Sequence, residues 1–97
     1  MSDDEVTVVL PGKAIDVLFQ TGWFDWAGWA GRHERFVAAP RRKVGRGYQY
    51  TMTLTRSEAG AMADHFRRVL VETPSTRRVW HVAARRSIAV ITQALAK

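Results

Sequence analysis

One stretch in the middle of the chain changes from strand periodicity to helix periodicity within a few positions. Residues 48–54, YQYTMTL, alternate between large side chains and polar ones, as in a strand with one buried face. Thr55 and Glu58 then form the Thr-x-x-Glu pattern of a capping box, which favours the start of a helix. We therefore expect a strand that leads directly into a helix and buries the face that carries both tyrosines, Met52 and Leu54.

The predicted helix carries an apolar stripe. Residues at spacings of three and four share one face: Ala59, Met62, Ala63, Phe66, Val69 and Leu70. On the outer surface, Asp64 with Arg68 and Arg68 with Glu72 have the i,i+4 spacing of ion pairs. The helix is expected to end at Thr73, because Pro74 follows it.

A last helix is predicted after a tight connection. Ser75 or Thr76 can cap its start. Its apolar stripe consists of Trp80, Ala84, Ile88, Ile91 and Leu95. The small residues Ala83, Ala84 and Ser87 allow a close approach of the two helices. The stripes together predict a helical hairpin.

The first part of the chain predicts one strand and one helix. Residues 5–10, EVTVVL, are rich in β-branched side chains and stop at Pro11 and Gly12. Residues 13–22 follow with helical spacing, and Gly22 is placed to end that helix. Its apolar positions are Ala14, Ile15, Leu18 and Phe19.

Residues 33–40, HERFVAAP, predict a further strand before the central one. Residues 40–47 collect arginine, lysine and glycine and are expected to form an exposed hairpin loop. The predicted fold class is α+β. It is a single two-layer domain over residues 1–97, of order β-α-β-β-α-α, with a three-stranded, mainly antiparallel sheet packed against a C-terminal helical hairpin.

The charge of the chain is unevenly distributed. Residues 1–31 hold one base and five acids, a net charge of −4, whereas residues 32–97 hold fourteen bases and four acids, a net charge of +10. Twelve of the fifteen bases are arginine, which suits contacts to phosphate, although a GC-rich genome enriches arginine equally. The chain has no cysteine and no apolar run long enough to span a bilayer, so we expect a cytoplasmic protein without a membrane partner.

Basic residues concentrate in the predicted loop and on the last helix. The candidate nucleic-acid-binding residues are Arg41, Arg42, Lys43 and Arg46 of the loop and Arg78, Arg85 and Arg86 of the helix. Arg78 and Arg85 share a helix face largely opposite Trp80, so we expect both to be exposed. The partner implied is DNA or RNA. A plain solvated surface is the alternative interpretation of the same charges.

A tryptophan-rich segment, TGWFDWAGWAG, follows the first helix. Trp23, Trp26 and Trp29 are three residues apart, which spreads them over too wide an arc for one buried helix face. We expect a loop or an irregular turn in which Trp23 and Phe24 close the core. Trp26 and Trp29 are then candidate partner-binding residues, and the alternative is that all three indoles cover the edge of the core.

The sequence offers no catalytic or metal-binding constellation. His33, His65 and His81 lie far apart, and none has the spacing of a metal-ligand pair. Glu58, His65 and Glu72 share a helix flank, but positions seven apart are separated by about 10 Å and cannot touch. We therefore expect no enzymatic activity, no cofactor and no metal.

Residues 46–53, RGYQYTMT, resemble the aromatic strand of the RNA-recognition motif, with Arg46, Gly47, Tyr48 and Tyr50 at matching positions. The chain departs from that family in three respects. The tyrosines share a face with apolar core positions, the first strand supplies no aromatic side chain, and a helix replaces the last strand. We do not assign the chain to that family.

The segments GWFDWAGWAGRH and YQYTMTLTRSEAGAMADHFRRV resemble small accessory proteins of actinobacterial phages and mobile elements. Proteins of that kind commonly bind nucleic acid or a host protein, and the resemblance implies a host cytoplasm as the location. Two hypotheses follow. In the first, the chain binds nucleic acid through its loop and helix arginines, with an exposed tryptophan stacking on a base. In the second, it is a protein-binding module or inhibitor that uses the tryptophan-rich loop as an anchor and its arginines against an acidic host protein.

Overall fold

Strands and helices follow the predicted order. The computed structural model describes residues 4–25 and 39–96. These contain β1 (Glu5–Pro11), α1 (Gly12–Gln20), a 3₁₀ turn (Trp23–Asp25), β2 (Arg41–Val44), β3 (Gly47–Thr55), α2 (Arg56–Glu72) and α3 (Arg78–Leu95). The α+β class and the packing of a three-stranded antiparallel sheet against the C-terminal helices are confirmed.

β3 is the central strand of the sheet. The strand order is β1-β3-β2, and both pairings are antiparallel. Val8 lies opposite Met52 and Val6 opposite Leu54, so the apolar positions of β1 and β3 fall on the same face. Val8, Met52 and Leu54 are buried there, which fixes the register of the two strands.

The helices cover this apolar face of the sheet. α3 packs against α2, β1 and α1, so it lies in the middle of the helical layer. The small residues Ala83, Ala84 and Ser87 are buried as predicted, and the Ser87 hydroxyl donates to the Ala83 carbonyl oxygen at 2.8 Å. Because that hydroxyl is satisfied within its own helix, it can be buried against the neighbouring elements without penalty.

The predicted capping box is confirmed at the junction of β3 and α2. The Thr55 hydroxyl accepts the Glu58 backbone N–H at 3.1 Å, and the Glu58 carboxylate accepts the Thr55 backbone N–H at 2.9 Å. The next residue, Arg56, donates its backbone N–H to the Asp4 carbonyl oxygen at 2.8 Å and its guanidinium to the Leu95 carbonyl oxygen. Arg56 therefore connects the start of α2 by hydrogen bonds to the residue before β1 and to the end of α3.

The predicted cap of the last helix is wrong. The N-cap of α3 is Arg77, whose side chain makes no capping hydrogen bond, and Ser75 and Thr76 lie in an exposed turn before it. The Arg77 backbone N–H donates to the Pro74 carbonyl oxygen at 3.0 Å, which closes that turn and delays the helix. A His81 ring N–H donates to the Thr73 carbonyl oxygen at 3.0 Å and ties the first turn of α3 to the end of α2.

Two surface predictions also differ from the structure. Asp64 pairs with Arg67 at 2.7 Å rather than with Arg68, because the i,i+3 partner already lies in reach on the exposed face. Phe19 is 44% exposed, and α1 buries Val17 instead. The Phe19 ring packs against Phe24, with ring centroids 4.4 Å apart, so it covers the 3₁₀ turn from outside the core.

The expected arginine-rich loop is a strand. Residues 41–44 form β2, and only residues 45 and 46 form the turn, where Gly45 has a φ of 60°. Lys43 pairs with Tyr48 and Arg41 with Tyr50, and the Thr51 N–H donates to the Pro40 carbonyl oxygen at 2.8 Å. Backbone pairing with β3 thus outweighs the repulsion between neighbouring cations. Of the predicted strand 33–40, residues 33–38 lie outside the described residues.

The capping box generates a stability test with an internal control. Thr55→Ala should lower the free energy of unfolding by about 1 kcal/mol, because the Glu58 N–H loses its acceptor. Thr55→Ser should restore most of it. Ser75→Ala removes the same type of side chain from an exposed turn and should change stability by less than about 0.5 kcal/mol. Urea unfolding of the four proteins measures this, and equal losses in Thr55→Ala and Ser75→Ala would contradict the assignment.

Candidate functional site

A cleft of about 390 Å³ lies where the β2–β3 hairpin meets the start of α1 and the middle of α3. Three cations line it, and each comes from a different element: Lys13 from α1, Arg46 from the hairpin turn and Arg86 from α3. One carboxylate, Asp16, is also among the lining residues. We call this site the basic cleft.

The local sequence explains why these cations converge. Gly45 takes the left-handed conformation that a two-residue turn requires, which places Arg46 directly before β3. Lys13 is the second residue of α1 and follows the end of β1, the strand paired to β3. Arg86 precedes the buried Ser87 in the middle of α3, so it projects from the flank of the helix beside Pro11 and Lys13.

In the basic cleft, the backbone at the start of α1 lies close to the backbone of β3. A Cβ atom on Gly12 would lie 3.2 Å from the Tyr48 carbonyl oxygen and 3.8 Å from Cε2 of Tyr50. Glycine therefore lets α1 begin directly against β3. The first backbone N–H groups of α1 emerge here with Pro11 at the N-cap, so the positive end of the helix dipole adds to the three cations.

Tyr48 corrects the prediction that both tyrosines belong to the core. Tyr48 is 46% exposed and Tyr50 is half-buried, whereas Met52 and Leu54 on the same face are buried. The reason is the position of Tyr48 in the sheet: β1 pairs with β3 only from Gln49 onward, so Tyr48 has a strand neighbour on the β2 side alone. The Arg41 guanidinium lies 5.8 Å from the centroid of the Tyr48 ring.

An apolar groove of about 270 Å³ adjoins the basic cleft and shares Pro11, Lys13 and Arg86 with it. Its other lining residues are Arg78, Val79, Val82 and Ala83 of α3. Val79 and Val82 are 56% and 60% exposed, which leaves two adjacent branched side chains in solvent. Cations thus border a small apolar surface on this side of the molecule.

The predicted nucleic-acid-binding residues do not all lie at one site. Arg46, Arg78 and Arg86 line the basic cleft or the groove beside it. Arg41 and Lys43 lie on the same side of the sheet as the tyrosines, whereas Arg42 pairs with Gln49 on the opposite side. Among the described lining residues Arg85 does not appear, although it is exposed on α3.

Lys13 is the cleft residue that the sequence prediction missed. It is the single base in the acidic first 31 residues, so the charge pattern directs attention away from it. Its position directly after Pro11 and Gly12, where a strand ends and a helix begins, was the available signal. Only the antiparallel pairing of β1 with β3 brings that junction to the hairpin turn.

The tryptophan predictions are tested only in part. Trp23 and Phe24 are buried, with 3% and 8% of their surfaces exposed, which confirms that they close the core. They form the predicted irregular turn as a single 3₁₀ turn. Trp26 and Trp29 lie outside the described residues, and their role in binding a partner stays a prediction.

A second cavity, of about 450 Å³, lies between the end of α1 and α2. The Thr21 hydroxyl donates to the Val17 carbonyl oxygen at 2.6 Å and accepts a ring N–H from His65 at 2.6 Å. Burial lowers the pKa of His65, and the charge of Arg68 lowers it further, against an opposite effect of Glu72. Because the threonine proton is held by the backbone, this pair anchors α1 to α2 rather than forming an activated nucleophile.

Comparisons with protein-family models, curated proteins and solved structures find no match for this chain. Within residues 4–25 and 39–96, no helix is both long and apolar enough to cross a membrane. Over the same residues, no group of three His, Asp or Glu side chains is placed to hold a metal ion.

The His65 contact predicts how stability depends on pH. A lowered pKa means that the folded protein binds fewer protons than the unfolded chain, so protonation favours unfolding. The free energy of unfolding should fall as the pH drops from about 7.5 to about 5.5, across the ordinary pKa of histidine. In His65→Gln that fall should be smaller, as measured by urea unfolding at each pH. Identical pH profiles for the two proteins would contradict the role of His65.

Proposed function

We propose that this chain is a small, basic, non-enzymatic accessory protein that binds nucleic acid through phosphate contacts at the basic cleft. One observation carries the proposal: Lys13, Arg46 and Arg86, which are distant in sequence and belong to three elements, line a single cleft. Arg41, Lys43 and Arg78 extend the positive surface along the hairpin and α3.

The convergence of cations supports phosphate binding over a merely solvated surface. Cations that only aid solubility are most stable far apart, because like charges repel. Here folding brings three of them to one concavity, and among its described lining residues Asp16 is the single carboxylate. A bound anion relieves that repulsion, and guanidinium groups match the geometry of phosphate oxygens. The volume of about 390 Å³ is within the usual range of ligand pockets.

Fluorescence anisotropy with labelled DNA and RNA, repeated between about 50 and 200 mM salt, tests the proposal. We expect micromolar or tighter binding at low salt that weakens steeply as salt rises. The double variant Arg46→Gln/Arg86→Gln should lose about tenfold in affinity, and the slope of log K against log salt should become smaller by about 2.

The matched control is Arg42→Gln/Arg85→Gln, which removes the same charge from exposed positions outside the cleft. Its affinity should fall by less than about threefold, because general attraction by net charge is weaker than direct phosphate contact. Equal losses in the two double variants would show that net charge alone drives binding. Absence of binding at 50 mM salt would overturn the proposal.

The apolar groove favours a second candidate function, a protein-binding module. Val79 and Val82 with Lys13, Arg78 and Arg86 around them suit an acidic partner that inserts one apolar side chain. Trp26 and Trp29 remain the predicted anchors of this function. It requires a stoichiometric complex with one acidic host protein.

That candidate is tested by size-exclusion chromatography of the complex and by two variants. Trp26→Ala/Trp29→Ala should abolish the complex, and Val79→Ser/Val82→Ser should weaken it about tenfold or more. Both variants should leave nucleic-acid affinity unchanged. A complex that survives both substitutions in folded protein would place the interface elsewhere.

A further inference from the structure

We propose that the basic cleft takes single-stranded nucleic acid and that one unpaired base stacks on the ring of Tyr48. This inference rests on the proposed function, since it names the ligand class of the same site. Its physical basis is an aromatic ring left in solvent among cations.

Tyr48 is more exposed than the other large side chains on its face of β3. Along one face of β3, Leu54 and Met52 are buried and Tyr50 is half-buried, whereas Tyr48 is 46% exposed and lines the basic cleft. The exposed part of the ring is surface on which a ligand can stack. Stacking there is favourable because it removes aromatic surface from water. The neighbour of Tyr48 across the hairpin, Lys43, is also exposed.

The cations around the ring suit a nucleotide rather than an apolar ligand. The Arg41 guanidinium lies 5.8 Å from the centroid of the Tyr48 ring, and Lys13, Arg46 and Arg86 line the cleft together with Tyr48. Arg46 lies in the hairpin turn two residues before Tyr48, and both residues line the cleft. An arginine at that position reaches the phosphate of a nucleotide whose base lies on the tyrosine.

A single strand fits this arrangement better than a duplex. Bases in a duplex already stack on each other and present only their edges, so a duplex cannot use the ring of Tyr48. Unpaired bases stack on exposed aromatic side chains with little regard to sequence. A groove that combines cations with one aromatic ring is typical of single-strand binding.

The experiment compares three ligands: a 12-residue oligothymidylate, the same chain without bases, which carries the same charge, and a DNA duplex. For the intact protein, we expect the oligothymidylate to bind about 5- to 100-fold more tightly than the base-free chain. Tyr48→Leu should bind both at the affinity of the base-free chain, and Tyr48→Phe should keep the preference. Binding of the duplex should be the same in all three proteins.

The outcomes separate this inference from the proposed function. If the intact protein binds the oligothymidylate and the base-free chain equally, or if Tyr48→Leu keeps the preference, base stacking on Tyr48 is wrong. Phosphate binding still stands in that case, provided that Arg46→Gln/Arg86→Gln weakens both ligands. If no ligand binds at about 50 mM salt, the proposed function itself fails. Because Tyr48 is largely outside the core, these variants are expected to fold, and circular dichroism verifies it.

Discussion

The junction at Thr55 is the constraint on which the rest of the structure depends. β3 is the central strand, so its register sets the positions of both neighbours, and α2 begins at the residue where β3 ends. The reciprocal hydrogen bonds of Thr55 and Glu58 make that change of direction abrupt. Arg56 then joins the same point to Asp4 at the start of β1 and to Leu95 at the end of α3. Both ends of the described fold are therefore held together at one corner.

The features that the sequence predicts correctly are those that depend on neighbours along the chain. The capping box and the stripe of α2 each involve residues a few positions apart, and both are confirmed, as is the alternation of β3 from Met52 to Leu54. The prediction of the α3 cap is wrong because it considered only neighbours along the chain. Ser75 has the right chemistry, but the Arg77–Pro74 hydrogen bond and the contact of His81 with Thr73 decide where the helix begins. The second of these contacts joins two elements.

The candidate site was harder to predict because its residues are assembled by tertiary structure. Arg46 and Arg86 belong to predicted basic clusters, but nothing local shows that they meet at Lys13. The same limit explains Tyr48, since alternation places it on the core face and cannot show that β3 extends one residue past its pairing with β1. The expected loop at 40–47 was wrong because β-pairing with β3 holds charged residues in a strand. The charge and glycine content of residues 40–47 predict that these residues are exposed, but not which backbone conformation they adopt.

The origin of the basic cleft from three distant elements means that the site exists only in the folded chain. In the unfolded chain Lys13, Arg46 and Arg86 are far apart along the sequence. Under the proposed function, a ligand that requires all three cations would therefore favour the native state over the unfolded one. The melting temperature of the protein would then rise with the concentration of that ligand.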